Sequence, residues 1–396
     1  MEAAVMKKFG RNIVQFFPYF VVFHMWFSMS FLGSLGVKNR PGITALGLLT
    51  IPAVVCLIIA AIKTYKELPE EGKVPSFVDK QGTQTPQFNR KFGIIVFGVF
   101  FLAIGISTYL YYTHPVALQI PNNDSPSIWT NPPVEQTILY ERMVPEEREK
   151  FLAEGIPNKD NIAAMIIADL ITIGVASLCF VHCWKNVGFW MATCFLWGSF
   201  ICTGLGESGI ILMGRFIFGG HVHNMFGDMF YGTFWYPKAA LWFIHCPIMI
   251  CIGWYQVAYC CVWIAGKLFP RMNLYPRAVM GGLMAMNLDL WIDPVATSPE
   301  IMTWIWIKGD PIELFGIPVW NFWGWFLAIT GYAIIWEQLP VFKEKWGLVK
   351  SSVYFFLACP LCTIIAVSLM FLYHIVVGGL LAAAGVPHAV RFPPGW

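Results

Sequence analysis

The chain has 396 residues, of which 57% are hydrophobic and only 12% are charged, whereas a soluble domain usually carries about 25% charged residues. Several apolar runs exceed the roughly 20 residues that a helix needs to cross a bilayer, so the composition excludes an ordinary soluble protein and indicates an integral membrane protein. The formal net charge of +3 is small and gives no reason to expect binding to nucleic acid.

The apolar runs predict an all-α fold, a polytopic transmembrane helix bundle of about nine spans. We expect these spans at 12–35, 43–63, 92–113, 161–183, 187–213, 238–266, 276–293, 318–337 and 351–384. The N-terminus is basic and then apolar, and it lacks a small-residue cleavage site, so the first helix is interpreted as retained. No internal repeat and no low-complexity segment is evident in the sequence.

The distribution of Lys and Arg indicates how the helices are oriented. With the N-terminus inside, sixteen of the 26 Lys and Arg residues fall in cytoplasmic segments, as the positive-inside rule favours. The chain then divides into N-terminal transmembrane helices over 1–113 with a cytoplasmic loop at 64–91, an outer-face loop at 114–160, and a transmembrane bundle over 161–396. Within the outer loop, "VPEEREKFLAEG" has the composition of a short helix.

Few carboxylates lie in the apolar segments, where an ionised side chain costs roughly 2.5–3.5 kcal/mol at the bilayer centre. The set consists of Asp169, Glu207, Asp289 and Asp293, while Glu337 ends a span and is expected at the membrane interface. Asp169 is isolated, which favours a hydrogen bond to a neighbouring helix. Glu207 is flanked by glycines and has little structural use inside a span, so it is a candidate for function.

Asp289 and Asp293 are four positions apart, so a helix places both on one face. Pro294 follows directly, and we expect the helix to end at Asp293 because proline disfavours helical geometry in the residue before it. A structural interpretation stays open, in which Asp289 caps a helix or pairs with Arg277 or Arg215.

The region after Glu207 adds further polar candidates. Arg215 lies eight positions later, about two helical turns along the same face. His221 and His223 follow in a loop rich in glycine and aromatic residues, where they serve either a site or the membrane interface. Several tryptophans after position 300 line a site or form an interfacial belt.

Metal and redox sites are not indicated. The chain has eight histidines, but only His221 and His223 are close in sequence, whereas membrane di-iron oxygenases need tight histidine clusters. The eleven cysteines are interpreted as buried free thiols. A haem held between helices stays open. No phosphate-binding loop, dinucleotide fingerprint or serine-hydrolase motif is present, and no cofactor is expected.

The stretch "NLDLWIDPVATSPEIMTWIWIKGDPIELFGIPVWNFWGWFLAI" resembles the signature of the carotenoid biosynthesis hydratase family. The family pattern is a helix end reading Asp-x-x-x-Asp-Pro, then Trp-x-Trp, Gly-Ile-Pro and Asn-Phe-x-Gly-Trp. These motifs stand at Asp289, Asp293-Pro294, Trp304, Trp306, Gly316-Ile317-Pro318, Asn321-Phe322 and Gly324-Trp325. The resemblance covers about 200–345. Upstream, Leu-Met-Gly-Arg and His-Val-His stand where the family usually shows a Thr-Gly pair and a Tyr-rich segment.

The resemblance implies a γ-carotene or bisanhydrobacterioruberin hydratase-like reaction, which adds water to the terminal C=C bond of an acyclic carotenoid or isoprenoid end. Protonation gives a tertiary cation, and water captures the cation to leave a tertiary alcohol. A buried carboxylic acid suits this chemistry, because loss of solvation disfavours its charged form. Aromatic faces stabilise a passing cation by roughly 0.5–2 kcal/mol. Neither a metal nor a nucleotide is required.

The predicted site joins Glu207 and Asp293 across the bundle, one as the acid and the other handling water, with Asp289 as a third catalytic carboxylate. The predicted substrate-binding residues are Arg215, His221, Asn287, Trp304, Trp306, Asn321 and Trp325. The expected partners are a carotenoid or other isoprenoid lipid and the membrane lipids of a prokaryotic plasma membrane. A homo-oligomer or a larger membrane complex is left open.

Two other functions stay open at this stage. The aromatic content also suits a non-catalytic subunit that binds a carotenoid, quinone or chlorin, which would purify with a stoichiometric pigment and show no turnover. A small-molecule transporter would need a continuous water-accessible path through the bundle, and the sequence shows no internal symmetry in its favour.

Overall fold

The computed structural model describes residues 17–22, 25, 86–113, 137–143, 145–154, 162–216, 234–236, 239–269, 272–298, 302–307, 311–386 and 390–392. This part of the chain is mostly helical. Of the predicted spans, 43–63 lies outside the described residues and 12–35 lies mostly outside them. The seven later predicted spans all correspond to helices.

The helices are numbered in chain order. They are α1 (Pro86–Thr113), α2 (Ile138–Arg142), α3 (Pro145–Glu154), α4 (Ile162–Val187), α5 (Phe189–Phe216), α6 (Ile248–Leu268), α7 (Leu274–Ala296), α8 (Val319–Glu337) and α9 (Leu339–Ala383). The short strands are β1 (Phe234–Trp235), β2 (Trp242–Phe243), β3 (Cys246–Pro247), β4 (Ile305–Trp306), β5 (Ile312–Leu314), β6 (Ile317–Pro318) and β7 (Val390–Phe392).

Five helices are long and apolar enough to cross a membrane, which fits an integral membrane protein. These segments are Arg90–Thr113, Asp169–Val187, Phe189–Leu212, Ile248–Leu268 and Leu339–Ala383. The helices α7 and α8 are not among them, because α7 carries two aspartates and α8 carries four tryptophans and an asparagine, which lower the mean hydropathy. The described residues therefore do not reach the predicted count of nine spans, and the orientation stays a prediction.

The centre of the bundle is α5, which packs against α1, α4, α6, α8 and α9. Polar side chains of its neighbours donate to its backbone carbonyls. The Tyr332 hydroxyl of α8 bonds the Phe195 carbonyl at 2.6 Å, and the Thr363 hydroxyl of α9 bonds the Cys202 carbonyl at 3.0 Å. In an apolar surrounding such bonds fix the rotation of each helix, because these hydroxyls have few other partners there.

The cysteines of the described residues are free thiols, and all except Cys202 are buried. Cys359 and Cys362 stand about one helical turn apart on α9 and form no disulfide. Within the described part of the chain, no group of three or more histidine, cysteine, aspartate or glutamate side chains is placed to hold a metal ion.

The helix predicted over 238–266 starts only at Ile248, because the chain before it folds as an antiparallel hairpin of β2 and β3, here called the first hairpin. Its turn places Ile244 at a φ of 57°. The backbone N–H of Ile244 donates to Ser107 Oγ at 2.7 Å, and that of Trp242 donates to Thr108 Oγ1 at 2.9 Å. Side chains of α1 thus satisfy backbone groups that no helix pairs, as an apolar environment demands.

The prediction that Pro294 ends its helix at Asp293 is wrong. The helix α7 continues through Pro294 to Ala296. Proline removes one backbone donor but does not break a final helical turn that has other bonds. Here the N–H of Thr297 donates to the Asp293 carbonyl at 3.0 Å, and its hydroxyl donates to the same oxygen at 2.8 Å.

Two parts of the chain share one backbone shape at an offset of 71 positions. The first hairpin and α6 recur as β5–β6, here called the second hairpin, followed by α8. Both turns hold a non-glycine residue at positive φ, Ile244 at 57° and Phe315 at 55°. Pro247 and Pro318, also 71 positions apart, are the N-caps of α6 and α8.

The two repeats meet about an approximate two-fold axis. The strands β1 and β4, again 71 positions apart, pair antiparallel with Phe234 opposite Trp306 and Trp235 opposite Ile305, which is the register that a two-fold axis between them requires. The rings of Trp254 and its counterpart Trp325 stack with centroids 3.5 Å apart and planes 9° from parallel. Both repeats run in the same direction, because their hairpins lie at the same end of the bundle.

The prediction of no internal repeat is therefore wrong. The repeat preserves backbone geometry with few side-chain identities, chiefly Gly253-Trp254 with Gly324-Trp325 and Pro247 with Pro318. Turn geometry and helix starts depend on only a few positions. The other positions can carry different hydrophobic residues in the two repeats, and inspection of the sequence then misses the repeat.

Residues 137–154 of the predicted outer loop cover the end of the bundle that carries the hairpins. The segment predicted to be a short helix is α3. Thr137 forms an antiparallel bridge with Ile307, next to β4. Leu139 packs with Ile305 in a small apolar cluster that also contains other residues of both segments, so this part of the outer loop is fixed on β4.

Candidate active site

A cavity with about 640 Å³ of empty space lies between α5, α6, α8 and α9, below the paired strands β1 and β4. This figure includes the space at the open mouth of the cavity. Its wall is mainly apolar and aromatic, with Ile210, Phe234, Trp254, Trp306, Trp320, Trp325, Val367 and Met370 among the lining residues. Its polar lining includes Glu207 and Asn321.

Glu207 enters the cavity from α5 and is half-buried. The hydroxyl of Tyr236 donates to Glu207 Oε2 at 3.1 Å. Gly206 lets α9 come close at this level, since a Cβ there would lie 3.1 Å from Thr363 Cγ2. Among the described Asp and Glu residues, Glu207 alone lines the cavity, so it is the acid that an occupant would touch.

Asp289 and Asp293 lie behind the cavity wall and meet at one nitrogen. Asn321 Nδ2 donates to Asp289 Oδ2 at 2.7 Å and to Asp293 Oδ2 at 2.6 Å. The carboxylates are 0% and 2% exposed, whereas Asn321 lines the cavity. The two N–H groups of the amide thus serve the two aspartates, and its carbonyl oxygen is left for other partners.

The three carboxyl groups form one electrostatic unit. Glu207 interacts electrostatically with both Asp289 and Asp293, and Arg142 interacts with Asp293. Asp289 Oδ1 is buried and has no hydrogen-bond partner among the described residues. Like charges at such close range repel each other, and a proton held by one of the carboxyl groups relieves the repulsion. Asp289 and Asp293 accept from the same nitrogen, so this repulsion is greatest between these two.

Two groups of aromatic side chains form part of the cavity wall. The stacked pair of Trp254 and Trp325 lies on one side. Trp306 meets Trp320 edge to face with centroids 5.4 Å apart and meets Phe234 at 4.7 Å. Ring faces near a cavity attract a cation through their quadrupole, so this wall suits a positively charged species better than a neutral one.

The structure brings several of the predicted site residues together. Glu207, Trp306, Asn321 and Trp325 line one cavity, and Asp289 and Asp293 are bound to Asn321. These six include the three carboxylates predicted to be catalytic, Glu207, Asp289 and Asp293.

Two predicted substrate-binding residues lie elsewhere. Asn287 is exposed on α7, because two positions along a helix rotate a side chain by about 200° from Asp289. Trp304 is half-buried and contacts the ring of Tyr236, with centroids 6.3 Å apart, rather than lining the cavity. Trp304 therefore supports the site from behind, and Asn287 has no contact with it.

Other candidates fall outside the description or have another role. The backbone of Arg215 belongs to the last turn of α5, and its side chain lies outside the described part, as do His221 and His223. Arg277 forms a buried ion pair with Glu337, which ties α7 to α8 at the end of the bundle away from the cavity. Arg277 is therefore not the partner of Asp289.

Asp169 lies on α4 and does not line the cavity. Its Oδ2 atom is buried and has no hydrogen-bond partner within the described residues, so the predicted bond to a neighbouring helix is not seen for that oxygen.

Sequence reasoning missed five residues of the site, namely Arg142, Phe234, Tyr236, Trp254 and Trp320. The 71-position repeat could have found Trp254, because it is the counterpart of Trp325. Trp320 stands beside the Asn-Phe motif. Arg142 lies in the outer loop, far from the motifs in sequence, and only the folded chain connects it to them.

Apolar helices around a cavity with an aromatic wall and one carboxylate in its lining define the class, a helical membrane protein with a candidate binding site inside its bundle. Residues 164–385, more than half of the chain, match the family model for carotenoid biosynthesis proteins, and the chain belongs to this family. The match spans nearly all of α4 to α9 and therefore includes Glu207, both aspartates and Asn321. The chain matches no curated protein and no solved structure.

Proposed function

We propose that the protein is a hydratase that adds water to the terminal C=C bond of an acyclic carotenoid or isoprenoid end. The observation that carries this proposal is that Glu207 and Asn321 face one aromatic cavity. A carboxyl group supplies a proton, an amide can place a water molecule, and the wall suits the cation between the two steps. Membership of the carotenoid biosynthesis family supports an isoprenoid substrate.

In this reaction Glu207 is the proton donor. Its carboxyl proton moves to the less substituted alkene carbon, and the π electrons of the double bond form the new C–H bond. The other carbon becomes a tertiary cation, and Glu207 becomes a carboxylate. The Tyr236 hydroxyl, which donates to Glu207 Oε2 at 3.1 Å, stabilises the carboxylate, because hydrogen bonds to charged groups are stronger than those to neutral groups.

The cation is short-lived in water and needs a dry, electron-rich surrounding. Trp254 and Trp325 present stacked rings at the cavity wall, and Trp306 and Trp320 close it from the side of the second hairpin. Each well-placed ring contributes roughly 0.5–2 kcal/mol of cation stabilisation. This gain applies to the cation and not to the neutral alkene, so it lowers the barrier to protonation.

Asn321 positions the water molecule. Its amide nitrogen is committed to Asp289 and Asp293, which leaves the carbonyl oxygen as an acceptor for water on the cavity side. The water oxygen forms the new C–O bond to the cation, and the excess proton returns to the Glu207 carboxylate. The net change is the addition of one water molecule, and the acid is regenerated.

The test is production of a hydrated carotenoid in a host that makes the acyclic precursor. The wild-type gene should give a product heavier by one water molecule, and Glu207→Gln and Asp293→Asn should each abolish it while the protein still accumulates in the membrane. Glu344→Gln, an exposed position on α9, is the matched control and should leave conversion intact. Full conversion by both site variants would exclude the proposal.

The same experiment separates catalysis from pigment binding. A purified wild-type protein that carries a stoichiometric, unhydrated pigment and forms no product would support a binding subunit instead.

We further propose that the chain has nine spans in a prokaryotic plasma membrane with its N-terminus inside. In that orientation α1 runs outward, and the cavity end of the bundle faces the outer side.

A further inference from the structure

Arg142 is a buried cation that comes from outside the matched family region and reaches the carboxylate site. It ends α2 in the outer-loop segment and is 6% exposed. A buried guanidinium is costly unless its hydrogen bonds are satisfied, so its partners indicate its role. Arg148, six positions later in the same segment, is a useful comparison, because its Nε donates to the Tyr140 carbonyl at 2.9 Å within that segment.

The guanidinium of Arg142 binds the C-terminal end of α7. Its Nη2 donates to the Pro294 carbonyl at 2.6 Å, and its Nη1 donates to the carbonyl and the hydroxyl oxygen of Thr297 at 3.1 and 2.9 Å. Carbonyls at a helix C-terminus lack partners within the helix and carry partial negative charge, so a cation is favourable there.

These bonds continue directly to a carboxylate residue. The Thr297 hydroxyl that accepts from Arg142 donates to the Asp293 carbonyl at 2.8 Å. The side chain of Asp293 in turn accepts from Asn321. Arg142 also packs on the second hairpin, since a Cβ at Gly316 would lie 3.0 Å from its Cδ. One side chain thus joins α7, which carries the aspartates, to the hairpin that precedes α8 and Asn321.

We infer that Arg142 is a positioning residue for the site, holding the end of α7 and the second hairpin so that Asp289 and Asp293 meet at the amide of Asn321. The inference rests on the proposed function, because it assigns Arg142 to the same reaction centre. It gives the outer-loop segment a role in the site, although that segment precedes the family match.

Infrared spectroscopy of the purified full-length protein in lipid nanodiscs tests the geometry without substrate. The carboxyl absorption that Asp293→Asn removes should change frequency in Arg142→Gln, because the carboxyl groups lose their orientation. Arg148→Gln should leave that absorption unchanged. Thr297→Val keeps the guanidinium and removes only the bridging hydroxyl, so it should shift the carboxyl absorption by less than Arg142→Gln does. It is the variant to measure if Arg142→Gln does not fold. An unchanged absorption in both Arg142→Gln and Thr297→Val would overturn the inference.

Turnover of an acyclic carotenoid supplies the second measurement. In Arg142→Gln, kcat should fall on the order of 10- to 100-fold with KM nearly unchanged, because misplacement of catalytic groups by about 1 Å has such effects. Arg142→Lys should recover part of the loss, and Arg148→Gln should match the wild type. A wild type that forms no hydrated product contradicts the proposed function. An active wild type with an equally active Arg142→Gln contradicts the role of Arg142 alone.

Discussion

Asn321 is the residue on which the site geometry depends. It contacts the cavity and both buried aspartates, and its two amide hydrogens match the two carboxylate oxygens at 2.7 and 2.6 Å. An amide at this position is specific, because a carboxylate would repel the aspartates and an apolar side chain would leave them without a donor. The sequence shows an asparagine among tryptophans, and only the fold explains why it is an amide.

Asn321→Asp should eliminate both hydrogen bonds and place a third carboxyl group against the first two. We expect the free energy of unfolding to fall by about 1–3 kcal/mol, the cost of leaving buried polar groups unpaired, and hydration to be lost. Thermal unfolding in detergent and mass analysis of the product measure the two effects. Asn287→Asp, an exposed control on α7, should change neither. Wild-type hydration by Asn321→Asp would contradict the role given to the amide.

At the scale of elements, the two hairpins determine what the following helices present to the cavity. The second hairpin turns through Phe315 and Gly316, both at positive φ, and Pro318 caps α8 directly after it. Asn321 therefore stands in the first turn of α8, where the hairpin fixes its direction. A shift of the hairpin would move the amide away from the aspartates.

Gly316→Ala tests this coupling. The substitution adds about 1–2 kcal/mol of backbone strain at positive φ, and its Cβ would also press on Arg142 Cδ at 3.0 Å. Gly385→Ala is the matched control, because Gly385 has nearly the same φ, 71° against 72°, with no atom within 4 Å of the added Cβ. We expect similar losses of thermal stability from strain alone, with an additional loss of turnover in Gly316→Ala only. Equal turnover in the two variants would argue against the coupling.

The ion pair of Arg277 and Glu337 links α7 to α8 at the other end of the bundle. Glu337→Gln leaves Arg277 buried without its counter-charge, so the free energy of unfolding should fall by about 3–5 kcal/mol. Glu344→Gln, at an exposed position, should have little effect. Hydration per folded molecule should be retained, because the pair does not touch the cavity. A thermal midpoint of Glu337→Gln equal to that of Glu344→Gln would contradict this prediction.

At the scale of the whole molecule, the cavity lies beside the approximate two-fold axis between the repeats. The acids come from the helices that precede the two hairpins, Glu207 from α5 and the two aspartates from α7. The equivalent residues Trp254 and Trp325 stack at the axis. The repeat therefore places the two tryptophans, whereas the acids occupy positions that are not equivalent in the repeat.

The stacked pair should act as a unit in function. Trp254→Leu and Trp325→Leu should each reduce turnover by about 2- to 30-fold, which corresponds to roughly 0.5–2 kcal/mol of cation stabilisation per ring. The double variant should lose less than the product of the single losses, because each single change already breaks the stack. Trp323→Leu, an exposed position on α8, is the control. Fully multiplicative losses in hydration assays would show that the two rings act independently.

Much of the architecture could be predicted from sequence because hydrophobic run length reports directly on helices. The seven later spans are helices, and the four-residue spacing of Asp289 and Asp293 places both on one nitrogen of Asn321. The boundaries at Ile248 and after Pro294 could not be predicted in the same way. The first boundary depends on the hydroxyl of Ser107, which accepts from the backbone N–H of Ile244 far along the chain. The second depends on the hydroxyl of Thr297, which donates to the Asp293 carbonyl one turn earlier.

The sequence by itself determined that the protein is apolar and helical, and which few carboxylates stand where charge is expensive. Those properties depend on composition and local spacing. The tertiary structure alone decided that Glu207 faces the cavity while Asp289 and Asp293 stand behind Asn321, that Asn287 faces outward, and that Arg142 reaches α7. These relations depend on helix rotation and on packing between distant segments, which local spacing does not encode.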